Sequence, residues 1–143
     1  MSPQTTTPPF HLALPVRDLE ETVHFYTDWL GCSTGRTSDH WVDLDLYGHQ
    51  VVLHLQTTPG PGHTTADVDS DAVPVPHFGV VLDIEAWEEL SARLTQRGAQ
   101  FVIEPRTRFA GEIGEQRTFF LFDPSGNALE FKAFRDPSRL FAS

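Results

Sequence analysis

The chain has 143 residues, 39% of them hydrophobic, with 11 Phe and 3 Trp, which is enough apolar material for one packed domain. Its formal net charge of −10 excludes nucleic acid and anionic membranes as natural partners. A single cysteine, Cys32, excludes an internal disulfide, and no apolar run is long enough to span a membrane. The polar start lacks the basic and apolar regions of a signal peptide, so a cytoplasmic protein is expected.

Residues 1–9 are mostly Ser, Thr, Gln and Pro and read as a flexible N-terminal arm. Phe10–Val16 alternates and reads as a strand, with Leu12, Leu14 and Val16 on one face and His11, Ala13 and Pro15 on the other. Asp18 is suited to cap a helix running to Leu30, with Leu19, Val23, Tyr26 and Leu30 at helical spacing and Gly31 as its stop. Cys32–Thr37, Trp41–Leu46 and Gln50–Leu55 read as three strands, the last two joined around Tyr47-Gly48-His49. Residues 10–56 thus form one βαβββ module. Residues 57–75, rich in Thr, Pro, Gly and Asp, carry no periodicity and read as a polar linker.

The pattern then restarts in residues 76–135. Pro76–Leu82 reads as a strand, and a helix opens at Asp83 or Ile84 with Trp87, Leu90 and Leu94 on one face and Gly98 as its stop. Gln100–Ile103, Thr118–Phe122 and Ala128–Phe134 read as strands, and Asp123-Pro124-Ser125-Gly126-Asn127 has the residues of a tight turn. His11 and His77 hold equivalent places, as do Gly31 and Gly98, so the halves look like copies of one unit. Glu104–Gln116 exceeds its first-half counterpart and is a candidate lid or substrate loop. Residues 136–143 form a C-terminal tail.

Four ligand-type side chains, His11, His54, His77 and Glu130, each lie mid-strand on the less apolar face. If their strands share a sheet they can converge, and imidazoles with a carboxylate are a donor set for a divalent transition metal. A lone histidine is more often an ordinary surface or core residue, and it is the repeated placement that favours a site. His54 can be a further ligand, an acid/base or a core histidine, and as a base it must reach a substrate proton directly or through one water. His24, His40 and His63 read as surface residues. Trp41, Asp43, Asp45 and Tyr47 share a face on which Trp41 and Tyr47 offer an aromatic wall, and Phe120 is a further candidate for substrate contact. Arg106, Arg108 and Arg117 flank the long loop and are either anion-binding groups or ordinary surface arginines. Cys32 reads as a packed residue. No Gly-rich phosphate loop, nucleophile elbow or CxxC pattern is present.

Four segments carry a family likeness: Phe10–Asp18, Phe25–Cys32, Pro76–Gly79 and Phe122–Phe131. In this order, and with the repeat, the chain resembles the vicinal oxygen chelate superfamily, which includes glyoxalase I, extradiol dioxygenases, and fosfomycin and bleomycin resistance proteins. The resemblance implies an α+β fold of two βαβββ modules forming a cup-shaped, eight-stranded mixed sheet with helices outside. It implies a metal held by His11, His77 and Glu130, the positions that match the family's ligands. Some members add a ligand from the last strand of the first module. Glyoxalase I has a carboxylate there, whereas this chain offers His54. Extradiol enzymes carry a catalytic histidine near the start of that strand, which makes His49 a second catalytic candidate beside His54. Bleomycin-binding members typically lack the metal ligands, which argues against that branch.

The resulting expectation is a metal-dependent enzyme binding a small substrate through vicinal oxygens. Two histidines and one carboxylate leave about three open positions on an octahedral metal. Fe(II) is favoured, with dioxygenation as the reaction, while Mn, Zn, Ni and Co suit the same donors. A glyoxalase-like lyase or isomerase is the alternative, and a non-catalytic binding or resistance module the third reading. By analogy with relatives a homodimer is expected.

Overall fold

The structure, a computed structural model, describes residues 7–56, 64–68 and 71–142. The chain divides into two units, Met1–Thr58 and Pro59–Ser143. The content is α+β, and the strands form two four-stranded mixed sheets, one in each unit, with a separate hairpin in the second.

In the first unit, β1 (His11–Val16) is followed by α1 (Leu19–His24), β2 (Ser33–Thr37), β3 (Trp41–Leu46) and β4 (His49–Leu55). The sheet order is β1-β4-β3-β2, with β1 parallel to β4 and the other pairs antiparallel. Asp18 caps α1 as expected, its carboxylate accepting from the Glu21 N–H at 3.0 Å. The helix does not run on regularly to Leu30. It widens into a π-helical turn over Phe25–Trp29, closed by the Leu30 N–H on the Phe25 carbonyl. Phe25 and Tyr26, adjacent in sequence, are both buried. The wider turn is a local departure from the regular helical period of the kind that interrupts α-helices at special positions. Leu14, Val16, Leu44, Leu46, Val51 and Leu53 form the buried sheet face beneath the helix.

In the second unit, β5 (Thr64–Val68) and β6 (Asp71–Val75) pair as an antiparallel hairpin. Residues 64–68 and 71–75 are therefore not the featureless linker expected. Their Thr, Asp and Pro residues hide the alternation, and pairing with each other supplies the order. β7 (Val81–Leu82), α2 (Ile84–Gln96), β8 (Phe101–Arg108), β9 (Gln116–Phe122) and β10 (Ala128–Phe134) follow, with sheet order β7-β10-β9-β8. The Asp83 carboxylate caps α2 through the Ala86 N–H at 2.7 Å. Trp87, Leu90 and Leu94 are buried on the helix's inner face, and the Trp87 indole donates to the Phe131 carbonyl at 2.9 Å. The Phe119 ring packs at a tilt against both Trp87 and Phe131.

Two boundaries differ from expectation. The strand expected at Pro76–Leu82 pairs regularly only at Val81–Leu82, with one further bridge from Phe78 to Leu129. The expected loop Glu104–Gln116 is half strand, because β8 runs to Arg108 and leaves only residues 109–115 between β8 and β9. β8 is an edge strand with charged residues, Pro105 and register shifts, all features that blunt a free edge and disguise it as loop.

Candidate metal centre

His77 and Glu130 come together in the second unit. Glu130 lies mid-strand on β10, on the face opposite Leu129, Phe131 and Ala133, which pack toward α2. The segment before β7 crosses beside it, the Glu130 N–H bonding the Phe78 carbonyl at 2.8 Å. His77 Nε2 lies 3.2 Å from Glu130 Oε1, with side chains only 28% and 15% exposed.

Both partners are oriented from behind. His77 Nδ1 donates to the Pro74 carbonyl at 2.7 Å, and since a carbonyl can only accept, Nδ1 carries the proton. The Thr118 hydroxyl donates to Glu130 Oε2 at 2.6 Å, leaving Oε1 to face the ring. The Phe120 ring, opposite Glu130 in the β9–β10 register, meets His77 edge-on at 5.0 Å between centroids. A neutral ring held this way turns a lone pair toward a carboxylate oxygen. Two acceptors at 3.2 Å need a cation between them, either a proton or a metal. Adjacent ligands about 2.1 Å from an octahedral metal stand about 3.0 Å apart, close to this spacing. The rear hydrogen bonds are those that metal-bound histidines and carboxylates ordinarily make. By donor chemistry and spacing, His77 and Glu130 fit a divalent metal. Among the described residues, no group of three or more His, Cys, Asp or Glu side chains gathers into a metal cluster.

In the first unit, His11 repeats part of this arrangement. Its Nδ1 bonds the Gln50 amide oxygen at 2.7 Å, which leaves Nε2 as the lone-pair nitrogen. Gln50 is its direct partner in the parallel β1–β4 register. His54 is on the same face but pairs with Pro15 and Trp41. It stands four residues beyond Gln50, about 13 Å along the strand. His11 and His54 therefore occupy opposite ends of the face. No side-chain hydrogen bond engages His54 among the described residues, and its ring is exposed.

Other candidates are placed as follows. Trp41 is half-buried beside His54, and the Arg36 guanidinium covers its ring at 5.4 Å while bonding Asp43 at 3.3 Å. Tyr47 does not join Trp41 in one wall. It sits in the β3–β4 turn with φ of 49°, at the far end of β3. His49 faces away from His54 by strand alternation, pairs with Leu46, and its Nδ1 accepts the Phe10 N–H at 2.9 Å. Arg117 shares the helix-side face with Phe119 and pairs with Glu88 of α2, away from Glu130. Arg106 and Arg108 do fall on the Glu130 face, with Arg106 bound to Asp71 of β6. Burial, then the charge of Asp45, push the Cys32 thiol up to about 12, so it stays protonated and unreactive at neutral pH.

Four supporting residues were not singled out from the sequence: Gln50, Pro74, Gly79 and Thr118. Gly79 had a visible signal, a glycine within a strand pattern, which often marks close backbone approach. A Cβ there would fall 1.5 Å from the Glu130 carbonyl oxygen. Gln50 and Thr118 depend on cross-strand register, which the sequence does not reveal, and Pro74 on a local turn of the chain back to His77.

Residues 9–131 match the Glyoxalase/Bleomycin resistance protein/Dioxygenase superfamily. The chain belongs to this superfamily. A glyoxalase/bleomycin resistance protein/dioxygenase from Alicyclobacillus acidocaldarius is 36% identical, with a TM-score of 0.77 over 96% of this chain and 100% of that one. A bleomycin resistance protein of Geobacillus stearothermophilus is 24% identical over 125 residues, 83% of this chain and 91% of that protein. The fold is also that of a lactoylglutathione lyase from Agrobacterium tumefaciens, with a TM-score of 0.65 and 19% identity over 99% of this chain and 100% of that one. Among the described residues, no helix is long and apolar enough to cross a membrane.

Proposed function

We propose that this chain is a metal-dependent enzyme that binds a small substrate through vicinal oxygens, with His11, His77 and Glu130 as metal ligands. The observation that carries the reading is the His77–Glu130 pair, whose Nε2 and Oε1 atoms face one another at 3.2 Å with their other polar atoms already engaged. The Nδ1–H hydrogen bond of His11 to Gln50 supports its inclusion, because it presents the same ring nitrogen as His77 does. The bound metal would supply Lewis acidity and open positions for substrate oxygens. The residues of this chain then have distinct tasks. Pro74 and Gln50 hold the imidazole tautomers, Thr118 holds the carboxylate, and Phe120 fixes the His77 ring. His54, with Trp41 as its register partner, is the candidate to move a proton.

Fe(II)-dependent dioxygenation of a catechol is the reaction to test first, since two histidines and one carboxylate leave room for two substrate oxygens and one further ligand. Metal analysis of anaerobically purified protein should find about one Fe or Mn per chain, lost in Glu130→Ala, and oxygen uptake should follow with a catechol panel. Zn or Ni, with no oxygen uptake by the Fe-loaded protein, would replace this with a lyase or isomerase reaction. A second reading draws on the curated relative that is a bleomycin resistance protein: a binding module that sequesters a small molecule. Ligand binding unchanged in His77→Ala, with no metal in either protein after reconstitution, would favour that module.

A further inference from the structure

The face that carries Glu130 also carries the chain's only lysine, Lys132, two residues further along β10. All nine other cationic side chains, histidines aside, are arginines. The register sets Lys132 directly opposite Thr118, and Thr118 opposite Arg106. The three form one row across β10, β9 and β8, adjacent to the row of Glu130, Phe120 and Ile103. Within this row Arg106 is neutralised by Asp71, and the Thr118 hydroxyl is committed to Glu130. Lys132 is half-buried, and its ammonium has the Phe134 ring at 6.0 Å but no carboxylate within ion-pair distance among the described residues. In a chain of net charge −10, a half-buried lysine with no carboxylate partner among the described residues is unusual on this face. It is also a compact point charge with three rotatable donors, suited to an oxyanion that arrives in more than one orientation.

We propose that Lys132 binds an oxyanion of the substrate, a carboxylate or phosphonate carried beside the oxygens that chelate the metal. The proposal rests on the metal-centre reading above and narrows the substrate to a small organic acid. Two residues along a strand place Lys132 about 7 Å from Glu130, so the anion lies one ring or a short chain beyond the chelating oxygens. Charge supports this pairing. A divalent metal with Glu130 leaves one net positive charge, Lys132 adds a second, and the Arg106–Asp71 pair adds none. A substrate with an ionised chelating group and a second anionic group meets that balance.

The test compares three probes on Zn-loaded protein by calorimetry: catechol, 3,4-dihydroxybenzoate and (3,4-dihydroxyphenyl)phosphonate. Zinc affinity is titrated separately on every variant. The wild type should prefer an acidic probe over catechol by about tenfold or more, the scale of one charge-assisted hydrogen bond. Lys132→Gln should lose this preference while keeping catechol and zinc affinity, and Lys132→Arg should retain much of it. The carboxylate and phosphonate arms show which oxyanion is preferred. Equal affinity for all three probes in the wild type would overturn the proposal and leave the metal reading standing. So would a preference that survives in Lys132→Gln. If zinc binds but no probe does, the chelation reading falls and the proposal with it. As a readout that does not depend on the variants folding, reductive ¹³C-methylation of the wild type labels its one lysine. That signal should shift on adding an acidic probe and stay still with catechol, whereas equal response to both would count against the assignment.

Discussion

At His77, a carbonyl behind the ring and a carboxylate in front of it leave room for only one kind of guest, a cation. Removing a supporting partner should therefore weaken metal binding without removing a ligand. Thr118→Val and Gln50→Leu are each expected to lower metal affinity by about 10- to 100-fold, measured by competition with a chelating dye. Unchanged affinity in Gln50→Leu would mean that His11 is not held for a metal. Gly79 imposes a different constraint. A methyl group there collides with the Glu130 backbone, so Gly79→Ala should separate the His77 segment from β10. Loss of metal binding together with a lowered unfolding midpoint is the expected result, and wild-type behaviour of both would contradict the packing described. Both kinds of effect belong to single atoms: a hydrogen-bonding oxygen of Thr118 or Gln50 in one case and a Cβ at residue 79 in the other.

At the scale of elements, the turn between β9 and β10 sets which residues oppose Glu130. Buried Asp123 accepts from the Ser125 and Asn127 N–H groups at 2.8 and 2.9 Å and from the Asn127 amide at 2.9 Å. Asp123→Ala should cost about 2–4 kcal/mol in urea unfolding, because several donors lose a charged acceptor at once. A loss within ~0.5 kcal/mol would show that the turn holds by backbone pairing alone. The turn and both helix caps were legible in the sequence, since Asp, Pro, Gly and Asn act through local geometry. The β5–β6 hairpin and the length of β8 were not. These segments are polar, and their order comes from pairing partners, a non-local matter. Arg117 illustrates the intermediate case. It looked like a loop-flanking cation, yet its spacing of two from Phe119 puts it on the helix face, where Glu88 receives it. Counting strand parity outward from the core would have placed it.

For the molecule as a whole, metal binding would be linked to stability. Metal at a hundred times its dissociation constant should stabilise the fold by about 2.7 kcal/mol, read as a rise in Tm that a chelator reverses. His77→Ala should abolish that rise. His11→Ala should do so too if the first unit supplies a ligand, and a full rise in that variant would restrict the centre to the second unit. The sequence by itself determined the superfamily, the two repeated modules, the inward face of each long strand and the location of both helix starts. It did so because alternation, helical spacing and capping are properties of neighbouring residues. Only the tertiary structure decided that His77 meets Glu130, that Gln50 rather than His54 stands beside His11, that Glu88 receives Arg117, and that Thr118 stands beside Lys132. Those facts depend on strand register and on hydrogen bonds between residues distant in the chain, and neither is written in local pattern.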